Sequence, residues 1–331
     1  MSILQEIIPT SISVGDMQCV QGLGVIPILT EEVPELPLLE PLENALERGL
    51  ARITETSEAG EVPFLLLNNT GDRPLIILDG EEVVGGKQNR IVNTTLVILE
   101  NTTVKIPVSC IQAGRWHRER SDFGSTGSVF RARSRVAQMA TVTASVRESG
   151  NFRSDQGAVW DEVSESLYEL GVHSKTSDFR EGREKVADRL EEFVEAIRPA
   201  QHQIGSIFIN AQGILGLEMF GTPVLFSQAC RKVTRSFAFE ALNAPDFKDA
   251  SIEAAAKWWD AVLIAEFTRH ASPAAGEDIR VGTEDLIGSG LIWNDVLTHF
   301  SCFPNVRMGH HRRNRRRASV SQRRQEFRSS F

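Results

Sequence analysis

Between residues 51 and 110, five aliphatic and β-branched runs follow one another, each closed by turn residues, and this pattern constrains the fold more than any other feature of the chain. The runs are ARITET, VPFLLLNN, PLIILDGEEVV, NRIVNTTLVIL and TVKIPVSC. Gaps such as Asn69-Thr70-Gly71-Asp72 and Glu100-Asn101-Thr102 are too short for a crossover helix, so successive strands should pair antiparallel. Pro63, Pro74 and Pro107 fall at strand starts or edges, where a missing N–H is tolerated. An apolar start at Leu23–Leu29 and a short helix over Glu40–Arg48, which Gly49 can terminate, precede them.

The period then changes. Arg133–Glu148, Asp155–Leu170 and the charged stretch Asp178–Ile197, stopped at Pro199, carry apolar residues at three- and four-residue spacing, which predicts helices. IGSIFIN and GILGLEMF flank Ala211-Gln212 and read as a hairpin. Two helices are expected over Val224–Leu242 and Ser251–Arg269, and a second hairpin turns at Asn294-Asp295 before VLTHFSCF. There is no βαβ alternation and no GxGxxG or GxxxxGK[ST] phosphate loop. The expected class is therefore α+β. A β-rich part over about 1–130, a helical and mixed part over about 131–304 and C-terminal hairpins should pack as one unit over residues 1–304.

Charge divides the chain. The 331 residues carry a formal charge of −8, but residues 305–331 hold nine Arg and a single acid, Glu326. That segment is +8, which leaves −16 on residues 1–304. The acidic body repels nucleic acid, whereas the tail suits an acidic or nucleic-acid partner. Without apolar period, the tail is expected to be disordered and dispensable for folding. No apolar run approaches the ~20 residues of a membrane helix, and MSILQEIIPTSIS lacks the basic and apolar regions of a secretion signal. Cys19, Cys110, Cys230 and Cys302 are scattered without zinc-ligand spacing. These features predict a cytoplasmic protein with no membrane association and no metal; they assign no cofactor.

Three segments carry dense polar chemistry. In DGEEVVGGKQNRIVN, Gly85-Gly86 lets the backbone approach a ligand. Gln88, Asn89 and Arg90 supply the amides and guanidinium fork that read bases and phosphates. The same residues would also suit a bulge whose polar groups satisfy one another. In VSCIQAGRWHRER, Arg115 offers an anion clamp and Trp116 a stacking face. Cys110 beside the arginines would be a nucleophile if its thiol pKa were depressed, though a Cys at a strand end is more often inert. In SDQGAVW, Ser154 or Asp155 can cap a helix that places Gln156 and Trp160 on one face; the simplest reading buries Trp160 in the core. His299, inside VLTHFSCF, reads as a core histidine and not a metal ligand.

The strings LDGEEVVGGKQNRIVN, IPVSCIQAGRW, SDQGAVW, LGLEMFGTP…RSFAFEAL and GSGLIW…THFSCFP together resemble a bacterial domain family. It is named for association with ADP-ribosylglycohydrolases and rhodanese/phosphatase-superfamily proteins, and the resemblance covers roughly residues 10–304. It implies a place in ADP-ribose or nucleotide metabolism and supplies no reaction. The family pattern reads Val-Glu-Gln before Gly-Arg-Trp, where this chain has Ile111-Gln112-Ala113. Any acid–base or metal-binding role of that Glu is closed to Gln112.

Two functions compete. The first is binding of a nucleotide-like or ADP-ribose-like ligand by Gln88, Asn89, Arg90, Arg115, Trp116 and Gln156, with hydrolysis by Glu81 as general base or Cys110 as nucleophile. The second is a non-enzymatic interaction module acting with a partner protein or nucleic acid through its polar strand ends and tail. A purely structural role for the clusters is the third reading. Convergence on a concave pocket favours the first; interlocking without one favours the others.

Overall fold

The aliphatic runs of the first third pair antiparallel, as their short connections require. In the computed structural model, which describes residues 3–57, 61–115, 120–245 and 252–305, six strands close into a barrel. They are Thr102–Cys110, Phe64–Asn69, Ala51–Glu55, Phe123–Val129, Glu81–Gly85 and Arg90–Val92, in that order. Ile53, Leu67, Val83, Val92, Ile106 and Phe123 form its apolar core. Two of the runs do not stay straight. PLIILDGEEVV breaks at Leu78-Asp79-Gly80, and NRIVNTTLVIL breaks at Asn93-Thr94-Thr95. Their outer halves, Leu75–Ile77 and Leu96–Ile98, pair with each other outside the barrel, and Glu40–Pro41 runs parallel to the first of them.

A second, antiparallel sheet takes its strands from both ends of the chain. Its order is Ser13–Val14, Leu23–Leu29, Gln203–Asn210, Gly213–Phe220, Val296–Pro304, Leu286–Trp293, Glu277–Gly282 and Thr268–Ala271, with Gln18–Val20 also on Leu23–Leu29. Residues 13–29 thus join the C-terminal strands and not the barrel. Ala211-Gln212 is the turn of one hairpin. Asn294 and Asp295, at φ 51° and 59°, supply the left-handed pair that a tight hairpin turn requires. Alternation sorts the side chains onto two faces. Ile207, Leu217, Met219 and Phe300 pack with Trp259 and Val262 of the helix Ile252–Ile264. Phe208, Phe220 and Phe303 pack with Phe226, Val233 and Phe237 of the helix Pro223–Ala238.

The helices Ala132–Ser149 and Gln156–Glu169 follow the predicted spacing. The stretch expected as one helix over 178–197 is two, Phe179–Lys185 and Ala187–Ala196, meeting at Val186. The last expected helix ends at Ile264, and Thr268–Ala271 becomes an edge strand. Trp160 lies exposed and not in the core. No helix among the described residues is long and apolar enough to cross a membrane. The expectation of disorder in the tail concerns residues that, apart from Asn305, lie outside those described.

Where the barrel's connections meet the Phe220 face of the sheet, charged groups replace apolar ones. Arg135 donates from Nη2 to Asp79 (2.9 Å) and from Nη1 to Glu218, all three of them buried. His299 donates from Nε2 to Glu218 (2.8 Å), and its Nδ1 meets the Thr95 hydroxyl at 2.8 Å. The Ser301 hydroxyl donates to Asp79 at 3.3 Å. Alongside, Arg280 holds Asp278 through two bonds of 2.6 and 2.8 Å and donates to Thr94 at 2.7 Å. Burial alone would raise the Asp79 pKa, but the charges of Arg135, His299 and Arg280 hold it below the ordinary value. The Asp79 turn fits only because its neighbour is Gly80. It sits at φ 77°, and a Cβ there would lie 3.0 Å from Arg135 Cδ.

Arg135→Met removes the buried guanidinium that Asp79 and Glu218 share and leaves their charges undercompensated. It should lower stability by about 3–5 kcal/mol in urea unfolding; an unchanged midpoint would show that this cluster does not hold barrel to sheet.

Candidate functional site

Strand pairing brings the first two polar segments to one end of the barrel, because Cys110 lies directly opposite Arg90 in the ladder. The loop between Glu81–Gly85 and Arg90–Val92 is tied down at nearly every donor. Gly85 N–H donates to Asn89 Oδ1 (3.1 Å), Gly86 N–H to the Asp122 carbonyl (3.3 Å) and Lys87 N–H to Glu55 Oε1 (3.0 Å). Gly86 is at φ 45° with the Phe123 ring against it, and a Cβ would lie 2.2 Å from that ring.

Arg115 is the staple of this loop. Its Nε donates to Gln112 Oε1 (2.8 Å), Nη1 to the Gly86 carbonyl (3.0 Å), and Nη2 to the Gly85 carbonyl and Asn89 Oδ1 (3.2 Å each). Gln88 Nε2 reaches the Gln112 carbonyl (2.8 Å), and Asn89 Nδ2 donates to Asp178 Oδ2 (3.0 Å). Gln112 uses both ends of its amide, accepting from Arg115 and Asn89 N–H and donating to Thr176 Oγ1 at 3.3 Å. Gln112 is therefore a fitted member of the cluster. Gln156 grips the Cys110 backbone at both polar atoms, with Oε1 accepting from its N–H and Nε2 donating to its carbonyl, each at 2.8 Å. Asp155 caps that helix by accepting from Gly157 and Ala158 N–H.

Arg90 is the exception. It is fully buried, and Nη1 donates to the Gln88 carbonyl (3.0 Å) and Oε1 (3.2 Å), but Nε and Nη2 have no hydrogen-bond partner among the described residues. Glu55 Oε2 is likewise buried without one among them. Burial depresses the Arg90 pKa. It also pushes the Cys110 thiol up to about 11, against the pull of the Arg90 charge. At neutral pH Cys110 is thus the protonated thiol, the form that does not attack. Trp116 lies outside the described residues.

Glu81 belongs to a different cluster. Alternation along Glu81–Gly85 turns it away from Glu82, which pairs with Arg183 at 3.1 Å. Glu81 meets the buried Lys232 at 3.4 Å, and the Glu43 carboxylate shares that ammonium at 2.7 Å. Burial raises the Glu81 carboxyl to about 7, offset in part by Lys232. Sequence reasoning singled out Gln88, Asn89, Arg90, Cys110, Arg115 and Gln156, which the fold gathers together. It missed Glu55 and Asp178, which come from distant segments without a motif. Among the described residues, no group of three or more His, Cys, Asp or Glu side chains is arranged to hold a metal.

A concave surface lies elsewhere. The segment 33–39 and the start of the helix Pro223–Ala238 line a groove of about 510 Å³. Val33, Leu36, Leu38, Leu39, Val224 and Leu225 line it. Val33, Leu38 and Val224 remain 54, 56 and 51% exposed, more than folding alone requires of large aliphatic side chains. Glu31, Glu32 and Glu35 are exposed along the same segment.

The fold and clusters define an α+β protein in which a β-barrel is keyed to a large antiparallel sheet and the polar strand ends are tied to one another. The chain belongs to the ARPP-1 family, the ARG and Rhodanese-Phosphatase-superfamily-associated Protein domain, which it matches over residues 11–303. Comparison with curated proteins and with solved structures finds no match.

Two substitutions separate structural from chemical roles. Arg115→Ala strips partners from the Gly85 and Gly86 carbonyls and should cost at least ~2 kcal/mol in urea unfolding; a fully stable variant would mark the fork as free for a ligand. Because the folded-state pKa of Glu81 lies above its unfolded value, this group stabilises the fold at low pH. That contribution is lost as pH rises towards 7. Glu81→Gln should therefore flatten the decline in stability between about pH 5 and 8, and an unaltered pH profile would contradict the assignment.

Proposed function

We propose that this chain is a binding module that works by docking a partner protein, not by catalysing a reaction. The observation that carries this reading is the apolar groove, an accessible concave surface whose base is formed by the core residues Leu39 and Leu225 and whose Val33, Leu38 and Val224 stay half-exposed. The interlocked state of the polar loop supports it, since Arg115, Gln112 and Gln156 direct their hydrogen-bonding groups at this chain's own backbone and at one another's neighbours in the cluster. The acidic residues beside the groove suit a partner segment that combines apolar and basic side chains. The family's name points to the partners to try first: ADP-ribosylglycohydrolase and rhodanese/phosphatase-superfamily proteins of the same genome.

One observation favours a second reading. Arg90 Nε and Nη2 are buried without partners among the described residues, and a nucleotide-like or ADP-ribose-like anion would satisfy them. Hydrolysis would then require a proton acceptor, and Glu81, the candidate, belongs to the Lys232 cluster.

Calorimetric titration of the full chain with the purified partner proteins, and separately with ADP-ribose, decides between the two. Docking predicts binding to a partner that falls at least about tenfold, ~1.4 kcal/mol, in a Leu38→Glu, Val224→Glu double variant, with no heat from ADP-ribose. Saturable ADP-ribose binding that Arg90→Gln abolishes would overturn docking in favour of the ligand.

A further inference from the structure

The groove's physical character limits what can fill it. Its floor is aliphatic and its flanking segment carries Glu31, Glu32 and Glu35, so an occupant needs apolar side chains for the groove and positive charge for its margin. The chain contains such a segment. Residues 306–331 hold nine Arg together with Val320, Phe327 and Phe331, against a charge of −16 on residues 1–304.

The point of attachment permits the contact. Asn305, whose N–H donates to the Asp285 carbonyl at 2.7 Å, fixes where the tail leaves the sheet. The strand that ends there begins at Val296, and Val296 and Leu297 line a small cavity together with Pro34 of the groove segment. The tail's origin is thus one strand length from the groove, about 26 Å at ~3.3 Å per residue. A chain of 26 residues extends to roughly 85 Å, so Phe327 reaches the groove with slack. Covalent attachment adds an effective concentration on the order of mM.

Building on the reading of the groove as a docking surface, we propose that its resident occupant is this chain's own C-terminal segment. Phe327 and Phe331 enter the groove in cis, and the arginines pair with Glu31, Glu32 and Glu35. The partner protein must then displace the tail, which makes docking self-inhibited and sensitive to salt.

The test uses the full chain with the photo-crosslinking residue p-benzoylphenylalanine in place of Leu38 or, in a second variant, of Val224, followed by mass spectrometry of crosslinked peptides. The expected result is an intrachain crosslink to residues 320–331 from at least one position. Its yield should fall at least about threefold when salt rises from about 0.05 to about 0.5 M, because screening weakens the arginine contacts. Crosslinks to the tail of a second copy would overturn docking in cis, as would crosslinking at both positions that never captures residues 306–331. Those failures leave the partner titrations untouched. Partner binding that survives Leu38→Glu, Val224→Glu would instead remove the groove itself.

Discussion

Arg135 carries its charge into the interior between Asp79 and Glu218, and taking such groups out of water is costly unless they stay together with their remaining hydrogen bonds made. Each member comes from a different part of the fold. Asp79 sits at the break between Leu75–Ile77 and the barrel strand Glu81–Gly85, Glu218 on a central strand of the large sheet, and Arg135 on the helix packed over it. His299 and Ser301, from the neighbouring strand, close the arrangement. An apolar interface would let barrel and sheet slide against each other at little cost. A charged one permits a single register, because any shift strands a buried charge. Acid weakens it with a definite sign. The folded-state pKa of Asp79 is held below its unfolded value, so its contribution is complete above the unfolded pKa and is lost as pH falls through the folded one.

The same logic governs the barrel end. Arg115, Gln112, Asn89 and Asp178 would mark a catalytic or nucleotide site if they faced a cavity. They face one another and the backbone of the Gly85-Gly86 turn. Arg90 apart, the polar residues described at this barrel end hydrogen-bond within the cluster, and the concave apolar surface lies elsewhere, along 33–39.

The strands and hairpins were legible because period-two alternation and turn residues are local signals. The breaks at Leu78-Asp79-Gly80 and Asn93-Thr94-Thr95 were not, since nothing within either run shows that its outer half pairs outside the barrel. Residues 13–29 join C-terminal strands nearly two hundred residues away, a pairing no local pattern reveals. The density of amides and arginines around Gly85-Gly86 correctly pointed to a cluster joined to Cys110–Arg115, because one short connection separates them. Whether those groups face a ligand or each other depends on Asp178 and Glu55, which tertiary contacts deliver. His299 was readable as a core histidine, and Glu218 stood out in hindsight as the lone charge in GILGLEMF. Arg135 gave no such signal, as it is one of several arginines in a weakly amphipathic helix.

Native-state amide hydrogen exchange on the full chain tests most directly whether the polar strand ends are architecture. The amides of Gly86, Lys87, Asn89 and Ile111, which donate to Asp122, Glu55, Gln112 and Asn89, are predicted to exchange with the slow core of the barrel. The segment 33–39, outside either sheet, should exchange far faster. Rapid exchange across Gly86–Asn89, with protection restored by ADP-ribose, would contradict the account and show the loop to be a mobile ligand site.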